Sequence, residues 1–476
     1  MSLAEAESSR AGVLGAERSR TSPGERWGVV GGGMLGLTLA LRLAQRGHRV
    51  EVFEARDRLG GVADAWHLGD VRWDRHYHVI CLSDSVLREL LEELGLEHRI
   101  EWVETRTGFY GAGRLVSISS NLDILRNLPM SLWHKARLGA AMTYISQIRD
   151  GRRLEKIPVT DWLIRLSGRR VFEQLWLPLL KAKLGDNYQA ASAAFIWAVA
   201  RRLSKARRMG LDKERFGYVP GGYGRVLDQL GAALADAGVD LHLGTPVQRI
   251  ATGPEGIELV TSEERRSFDQ VAVTLPAPLA ARVCEGLTDE ERSRLEGITY
   301  QGIVCASLLL RRPLAGYYLT YITDPEVPFS AVVEMSALVD AERQLGGHSL
   351  VYLPKYVRSD DPFLDLPDSE VEAMFLSALD RMYPEFDPAD VLCFRVSRVR
   401  HLLAISTLGY SDRLPPMTTS VRGVHIVNSA HIVNGTLNVN ETMQLAEQAA
   451  VRLARYRPET ATMDIEAALA APKVGE

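Results

Sequence analysis

Trp27-Gly28-Val29-Val30-Gly31-Gly32-Gly33-Met34-Leu35-Gly36 runs from a short apolar segment through a cluster of glycines into an apolar repeat. From Met34 to Arg46 the residues Leu35, Leu39, Leu41 and Leu43 recur at helical spacing, and Gly47-His48 closes the run. Arg49-Val50-Glu51-Val52-Phe53-Glu54 then alternates and is rich in β-branched residues, which predicts a second strand. Together they form a β-α-β unit of about thirty residues. Gly31-x-Gly33-x-x-Gly36 occupies its first turn. Such a motif places one glycine at the sharp turn, one where backbone approaches a pyrophosphate, and one where helix and strand pack closely. Free N–H groups and the positive end of the helix dipole favour phosphate at the same place. Glu54 ends the second strand, where a carboxylate accepts hydrogen bonds from ribose hydroxyls and repels a 2′-phosphate. A glycine-rich turn alone is a weak signal, whereas the complete unit predicts a bound dinucleotide.

The 476 residues exceed what one hydrophobic core usually holds, so two domains, or one domain split by an insertion, are expected. A formal charge of -4 gives no general attraction to nucleic acid, and no such partner is expected. Cys81, Cys284, Cys305 and Cys393 lie far apart, which indicates neither a zinc site nor a disulfide framework. Met1 to Glu25 has no apolar core and reads as a disordered tail, and 458–476 as a second tail. The longest apolar run, Ala190 to Ala200, is about half the ~20 residues of a membrane span. A cytoplasmic protein with at most peripheral membrane contact is therefore expected.

Immediately after the acid comes Glu54-Ala55-Arg56-Asp57-Arg58-Leu59-Gly60-Gly61. It resembles the E-A-x-x-R-x-G-G-R signature of the flavin amine oxidase superfamily, which includes protoporphyrinogen oxidases, phytoene desaturases and, more distantly, UDP-galactopyranose mutases. The resemblance implies FAD, with Arg58, Gly60 and Gly61 against its phosphates and ribityl chain. Val62 departs from the pattern, since the family's final arginine is expected there. Pro220-Gly221-Gly222 resembles the family's P-x-G-G segment, Val247-Gln248-Arg249-Ile250 the strand whose backbone contacts adenine, and Asp269 to Pro276 its D-x-V-x-x-T-x-P run. Near the C-terminus Asn428-Ser429-Ala430 stands where the family usually has Gly-Asp. Leu437 to Thr442 resembles the loop entering the last helix, whose N-terminus would face the flavin pyrimidine, with Asn440 as its cap.

The expected architecture is α/β: a discontinuous Rossmann-like FAD-binding domain over 26–100, 216–290 and 418–457, and a second α+β substrate domain over 101–215 and 291–417. The cofactor-binding residues expected are Gly31, Gly33, Gly36, Glu54, Arg58, Gly60, Gly61, Val247 and Asn440.

Flavin chemistry leaves the protein to orient and polarise its substrate, so a missing catalytic triad is uninformative. Asp74-Arg75-His76-Tyr77-His78 is the most unusual polar cluster. If extended, it puts Asp74, His76 and His78 on one face, a ligand-like set, although flavin-adjacent or structural histidines are favoured over a metal. His78, Glu334 and Lys355 are the catalytic candidates, the last two being charges inside apolar strand patterns whose bland reading is a strand end in water. No lysine occurs around Tyr300-Gln301-Gly302-Ile303, which weakens simple amine oxidation. The basic run Arg201 to Arg208 reads as a solvated helix face or, more sharply, as a clamp in which Arg201 or Arg207 binds a diphosphate. Leu132 to Ile145 is moderately amphipathic and is expected to pack rather than touch membrane.

These features predict an FAD-dependent oxidoreductase that removes hydride from a bulky small-molecule substrate, a sugar, isoprenoid or secondary metabolite. Two alternatives stay open: a reduced-flavin isomerase similar to UDP-galactopyranose mutase, and a non-catalytic prenyl-protein binder of the GDP-dissociation-inhibitor type.

Overall fold

The computed structural model describes residues 24–127, 130–207, 214–433 and 435–454. The expected tails fall outside these residues except at 24 and 25, and of the basic run only Arg201 and Arg202 have described side chains.

The opening motif folds as its pattern predicts. Arg26–Val30 and Arg49–Phe53 are parallel strands joined by the helix Met34–Ala44. They lie in a five-stranded parallel sheet, completed by Asp240–His242 beside Arg49–Phe53 and by Gln270–Val273 and Val424–Ile426 on the other flank. Side chains alternate across each strand, so the sheet has two apolar faces. Val29, Val52 and Ala272 pack under the helices Met34–Ala44, Gly222–Asp236 and Val439–Ala454. Val30, Phe53, Val271 and Val273 pack on the opposite side, against a three-stranded antiparallel sheet and the helix Ala277–Val283.

A seven-stranded mixed sheet is the second large element. Its longest pairings are made by Tyr300–Leu310, antiparallel with Ser349–Arg358 on one side and with the edge strand Val391–Ala404 on the other. Directly opposed residues of an antiparallel pair share a face. Ile303 therefore projects with its partner Tyr356 and Val304 with its partner Lys355. The Ile303 face, called the near face below, packs against Trp66, Trp73 and Tyr77. The far face, with Val304, is covered by Phe375 and Leu379 of the helix Asp368–Met382.

The helices between 132 and 207 form their own core around Trp162 and Trp197. Leu132–Gln147 packs there through Ala141 and Ile145. Its first turn corrects the expectation of packing throughout: Leu132 and Trp133 are 74% and 72% exposed. No described helix is long and apolar enough to cross a membrane.

Candidate functional site

The carboxyl ends of parallel strands are where such sheets bind ligands, and here they carry the glycine turn. Gly31 has φ 113°, which favours glycine, and a side chain at Gly36 would run into the Gly31 carbonyl oxygen. Gly33 caps the Met34–Ala44 helix with no side-chain hydrogen bond, leaving the first-turn N–H groups open to an anion. Gly60 donates to Gly32 O at 2.8 Å, laying the Gly60-Gly61 pair against the turn. Glu54 accepts from Gly32 N at 2.7 Å and from Arg56 N at 2.9 Å, so the carboxylate is held at the strand end. Thr245 donates to Glu54 O at 2.8 Å, which brings the extended segment containing Val247 beside that acid; the strand itself begins at Arg249.

The position that Val62 leaves without a cation is supplied from just beyond the strand Val71–Asp74. Arg75 donates through Nη2 to Gly61 O at 2.8 Å, while its buried Nε has no hydrogen-bond partner. Burial, with Arg56 and Arg58 nearby, lowers its pKa to about 10. Asp64 lies 3.8 Å from both Arg58 and Arg75, and burial raises its pKa despite them. Arg56, Arg58 and Arg75 thus gather beside the glycine pair around one buried carboxylate, an excess of positive charge that fits the diphosphate of FAD. Asn428, in the segment where the family usually has Gly-Asp, accepts from Ala430 N at 3.1 Å and keeps a buried Nδ2 without a partner.

From Arg75 to Val79 the chain is not a regular strand, and the alternation expected for Asp74, His76 and His78 breaks. This strap crosses the near face. Tyr352 donates to Asp74 O, and Ser307 to Arg75 O at 3.4 Å. His76 bonds Val62 O through Nδ1 and Ser397 Oγ through Nε2, both at 3.2 Å, so both ring nitrogens are occupied. Tyr77 meets Tyr356, hydroxyl to hydroxyl, at 2.7 Å. His78 turns to the other side, its ring 5.1 Å from that of Tyr223 and its Nδ1 3.9 Å from Asp74 Oδ2. Burial keeps it neutral, with a pKa of about 4. The same burial raises Asp74 to about 8, although Asp74 accepts the Tyr223 N–H at 2.7 Å and so caps the Gly222–Asp236 helix. Among the described residues no group of three His, Cys, Asp or Glu is arranged to hold a metal.

Three expected site residues are reassigned. Glu334 neither sits in water nor reaches the near face: it pairs with Val351, on the far side, and is 2% exposed. Its carboxylate accepts from Leu314, Ala315 and Gly316 N–H at 2.9, 3.2 and 2.9 Å and ties down a loop. Lys355 shares the far face with Val304, donates to Pro328 O at 2.9 Å and lies 4.8 Å from the Phe363 ring centroid. Asn440 is inside the last helix rather than its cap. Asn438 accepts the Glu441 N–H at 3.0 Å, while Asn440 accepts from Leu87 N at 3.1 Å. The expected diphosphate clamp also closes elsewhere: Arg202 pairs with Asp84 at 3.4 Å, and Arg201 donates to Arg149 O at 3.2 Å.

Sequence reasoning passed over Lys183. It stands on the helix Leu177–Leu184, which packs on Ser349–Arg358, and its Nζ lies 3.6 Å from the Tyr356 ring centroid. Further along the near face, Asn187 donates to Gln301 Oε1 at 2.8 Å, while Gln301 Nε2 is buried without a partner. A cleft follows, lined by Phe195, Leu403, Tyr410, Ser429, Ile432 and Leu437.

A family model described as flavin containing amine oxidoreductase matches residues 35–454. The chain belongs to this family. FAD is accordingly its cofactor, in agreement with the glycine cradle and the arginines beside it. Over 264 residues the chain is 25% identical to AofH of Mycobacterium tuberculosis, whose name assigns it to the flavin-containing monoamine oxidases. That match covers 52% of this chain and 56% of AofH, so the chain spans little more than half of that curated relative. The coproporphyrinogen III oxidase of Mycobacterium bovis is 26% identical over 434 residues, covering 84% of this chain and 92% of that one. A crystal structure from Exiguobacterium sp., named for protoporphyrinogen oxidases, superposes with a TM-score of 0.71 at 18% identity, covering 90% of this chain and 98% of its own. Such a likeness shows the fold.

Proposed function

We propose that this flavin-family protein is an oxidoreductase that takes hydride from a C–H bond of a bulky organic substrate bound between the parallel sheet and the near face. The observation that carries the reading is the strap. Within three residues it joins the Gly61 carbonyl, through Arg75, to the near-face hydroxyl of Tyr356, through Tyr77. FAD held at the glycine pair supplies the two-electron chemistry, and the chain's residues bind, orient and exclude water. In this reading Gly31, Gly33 and Gly36 shape the phosphate turn, Glu54 holds the adenine ribose, and Val247 borders the adenine. Arg58, Gly60 and Gly61, joined by Arg75, hold the diphosphate and ribityl chain. His78 backs the strap as a neutral ring. The cleft around Phe195, Leu403 and Tyr410 offers apolar side chains beside the hydroxyls of Ser406 and Ser429 to one part of the substrate.

The division into a cofactor domain (26–100, 216–290, 418–457) and a substrate domain (101–215, 291–417) is part of the proposal. It is supported by the strands, since all five of the parallel sheet fall in the first set and all seven of the mixed sheet in the second.

Anaerobic absorbance spectroscopy of the purified protein tests the reading. Loss of the oxidised flavin bands on adding a substrate, and their return with dioxygen or a quinone dye, is the expected result. Turnover only after prior reduction of the flavin, with no net electron transfer, would replace it with the isomerase reading. Colourless protein that takes up no FAD would sink both.

A further inference from the structure

Among the described residues no carboxylate pairs with Lys183, whose ammonium lies on the substrate side of the near face. Burial lowers its pKa, and the opposing influence is Tyr77 rather than a carboxylate. Lys183 is half-buried, and its charge lies against the face of the Tyr356 ring, which compensates it only in part. A second, independent observation lies on the same face: Gln301 Nε2 is a buried donor without an acceptor. Gln301 and Tyr356 share that face through the register Gln301 with Arg358 and Ile303 with Tyr356. The Tyr77 and Tyr356 hydroxyls bond each other, and in such a pair one proton lies between the oxygens while the other is left to donate.

We propose that Lys183, Gln301 and the Tyr77–Tyr356 pair form a subsite for a substrate carboxylate. An ammonium, an amide N–H and a phenol O–H are all donors, so the missing partner is acceptor-only and anionic. One uncompensated cation matches a single carboxylate. A diphosphate would call for more, and Arg201 and Arg202 are already engaged away from this face. The same subsite repels ammonium groups, so this chain, although it belongs to a family named for amines, selects against them. The cleft beyond Gln301, lined by apolar side chains and by the hydroxyls of Ser406 and Ser429, receives the rest of the molecule. This inference rests on the proposed reading that the near face is the substrate side.

Benzoate is the probe, titrated into the FAD-loaded protein with flavin absorbance and calorimetry as readouts. The wild type is expected to bind benzoate in preference to benzylamine. Lys183→Met should weaken benzoate binding by about tenfold to a hundredfold, Lys183→Arg should largely retain it, and Gln301→Leu should weaken it less. Lys355→Met, on the far face, should not change it. Lys183→Met should also melt higher than the wild type, since an uncompensated charge is removed, which checks that it folds. Equal benzoate affinity in wild type and Lys183→Met, no benzoate binding by the wild type, or tighter binding of benzylamine would each overturn the subsite. Failure to take up FAD is a separate outcome that counts against the oxidoreductase reading; calorimetry still decides the subsite in that case.

Discussion

Arg75 Nη2 donates to the carbonyl of Gly61 at 2.8 Å, so a cation from the strap stands beside the glycine pair whose own sequence continues with Val62. Replacement by Arg75→Met should therefore weaken FAD binding by about tenfold to a hundredfold, as for loss of a charged hydrogen bond. Adding Val62→Arg to that variant should restore part of the affinity. Fluorescence quenching during reconstitution of the apoprotein measures both. Unchanged affinity in Arg75→Met would remove Arg75 from the cofactor site.

Glu334 and Lys355 separate structure from chemistry. Glu334→Gln should lower unfolding stability by roughly 1–3 kcal/mol, because one of its oxygens becomes a donor facing backbone N–H groups. It should leave the rate of anaerobic flavin reduction unchanged. Chemical denaturation and stopped-flow absorbance test the two halves, and a slowed reduction with intact stability would return Glu334 to the catalytic set.

The buried histidines set an acid limit. Burial lowers His76 to about 3 and His78 and His425 to about 4. The folded protein thus holds them neutral, and each takes up a proton on unfolding once the pH is below its ordinary value near 6.5. Their contribution is complete above pH 6.5 and declines as the pH falls toward 4, by up to about 1.4 kcal/mol per pH unit for each ring. Urea midpoints across that window should fall with pH, and His425→Gln should flatten the slope.

Asp74 has the opposite sign. Its pKa is raised to about 8 from an ordinary 3.8, so its protonated form is favoured in the fold and its contribution declines as the pH rises from about 4 to 8. Asp74→Asn keeps an oxygen for the Tyr223 N–H and should be more stable than the wild type at pH 8 by roughly 1–3 kcal/mol, while matching it near pH 4. Equal melting temperatures at pH 8 would contradict the assignment.

The cofactor end was legible because its constraints are local. A sharp turn, a helix start and a strand-end acid each demand a particular residue at a fixed spacing, as Gly31, Gly36 and Glu54 show. Face assignments were not legible in the same way. Lys355 and Tyr356 are neighbours in sequence, yet only pairing with Val304 and Ile303 shows which is turned toward the strap. His78 was misread with Asp74 and His76 because the strap abandons strand geometry after Arg75. Asn440 missed the cap by two residues, since two asparagines compete at that helix start. Lys183 did leave a signal: it falls three residues after Leu180 and one before Leu184, the two buried residues of its helix.

The strap has a thermodynamic consequence. Arg75, His76, Tyr77 and His78 are consecutive, and they attach to Gly61, Ser397, Tyr356 and the Tyr223 helix in turn. A peptide so short cannot shift at one attachment without disturbing the next. Cofactor and substrate are then reciprocal effectors: whatever factor a carboxylate ligand adds to FAD affinity, FAD must add to the affinity for that ligand.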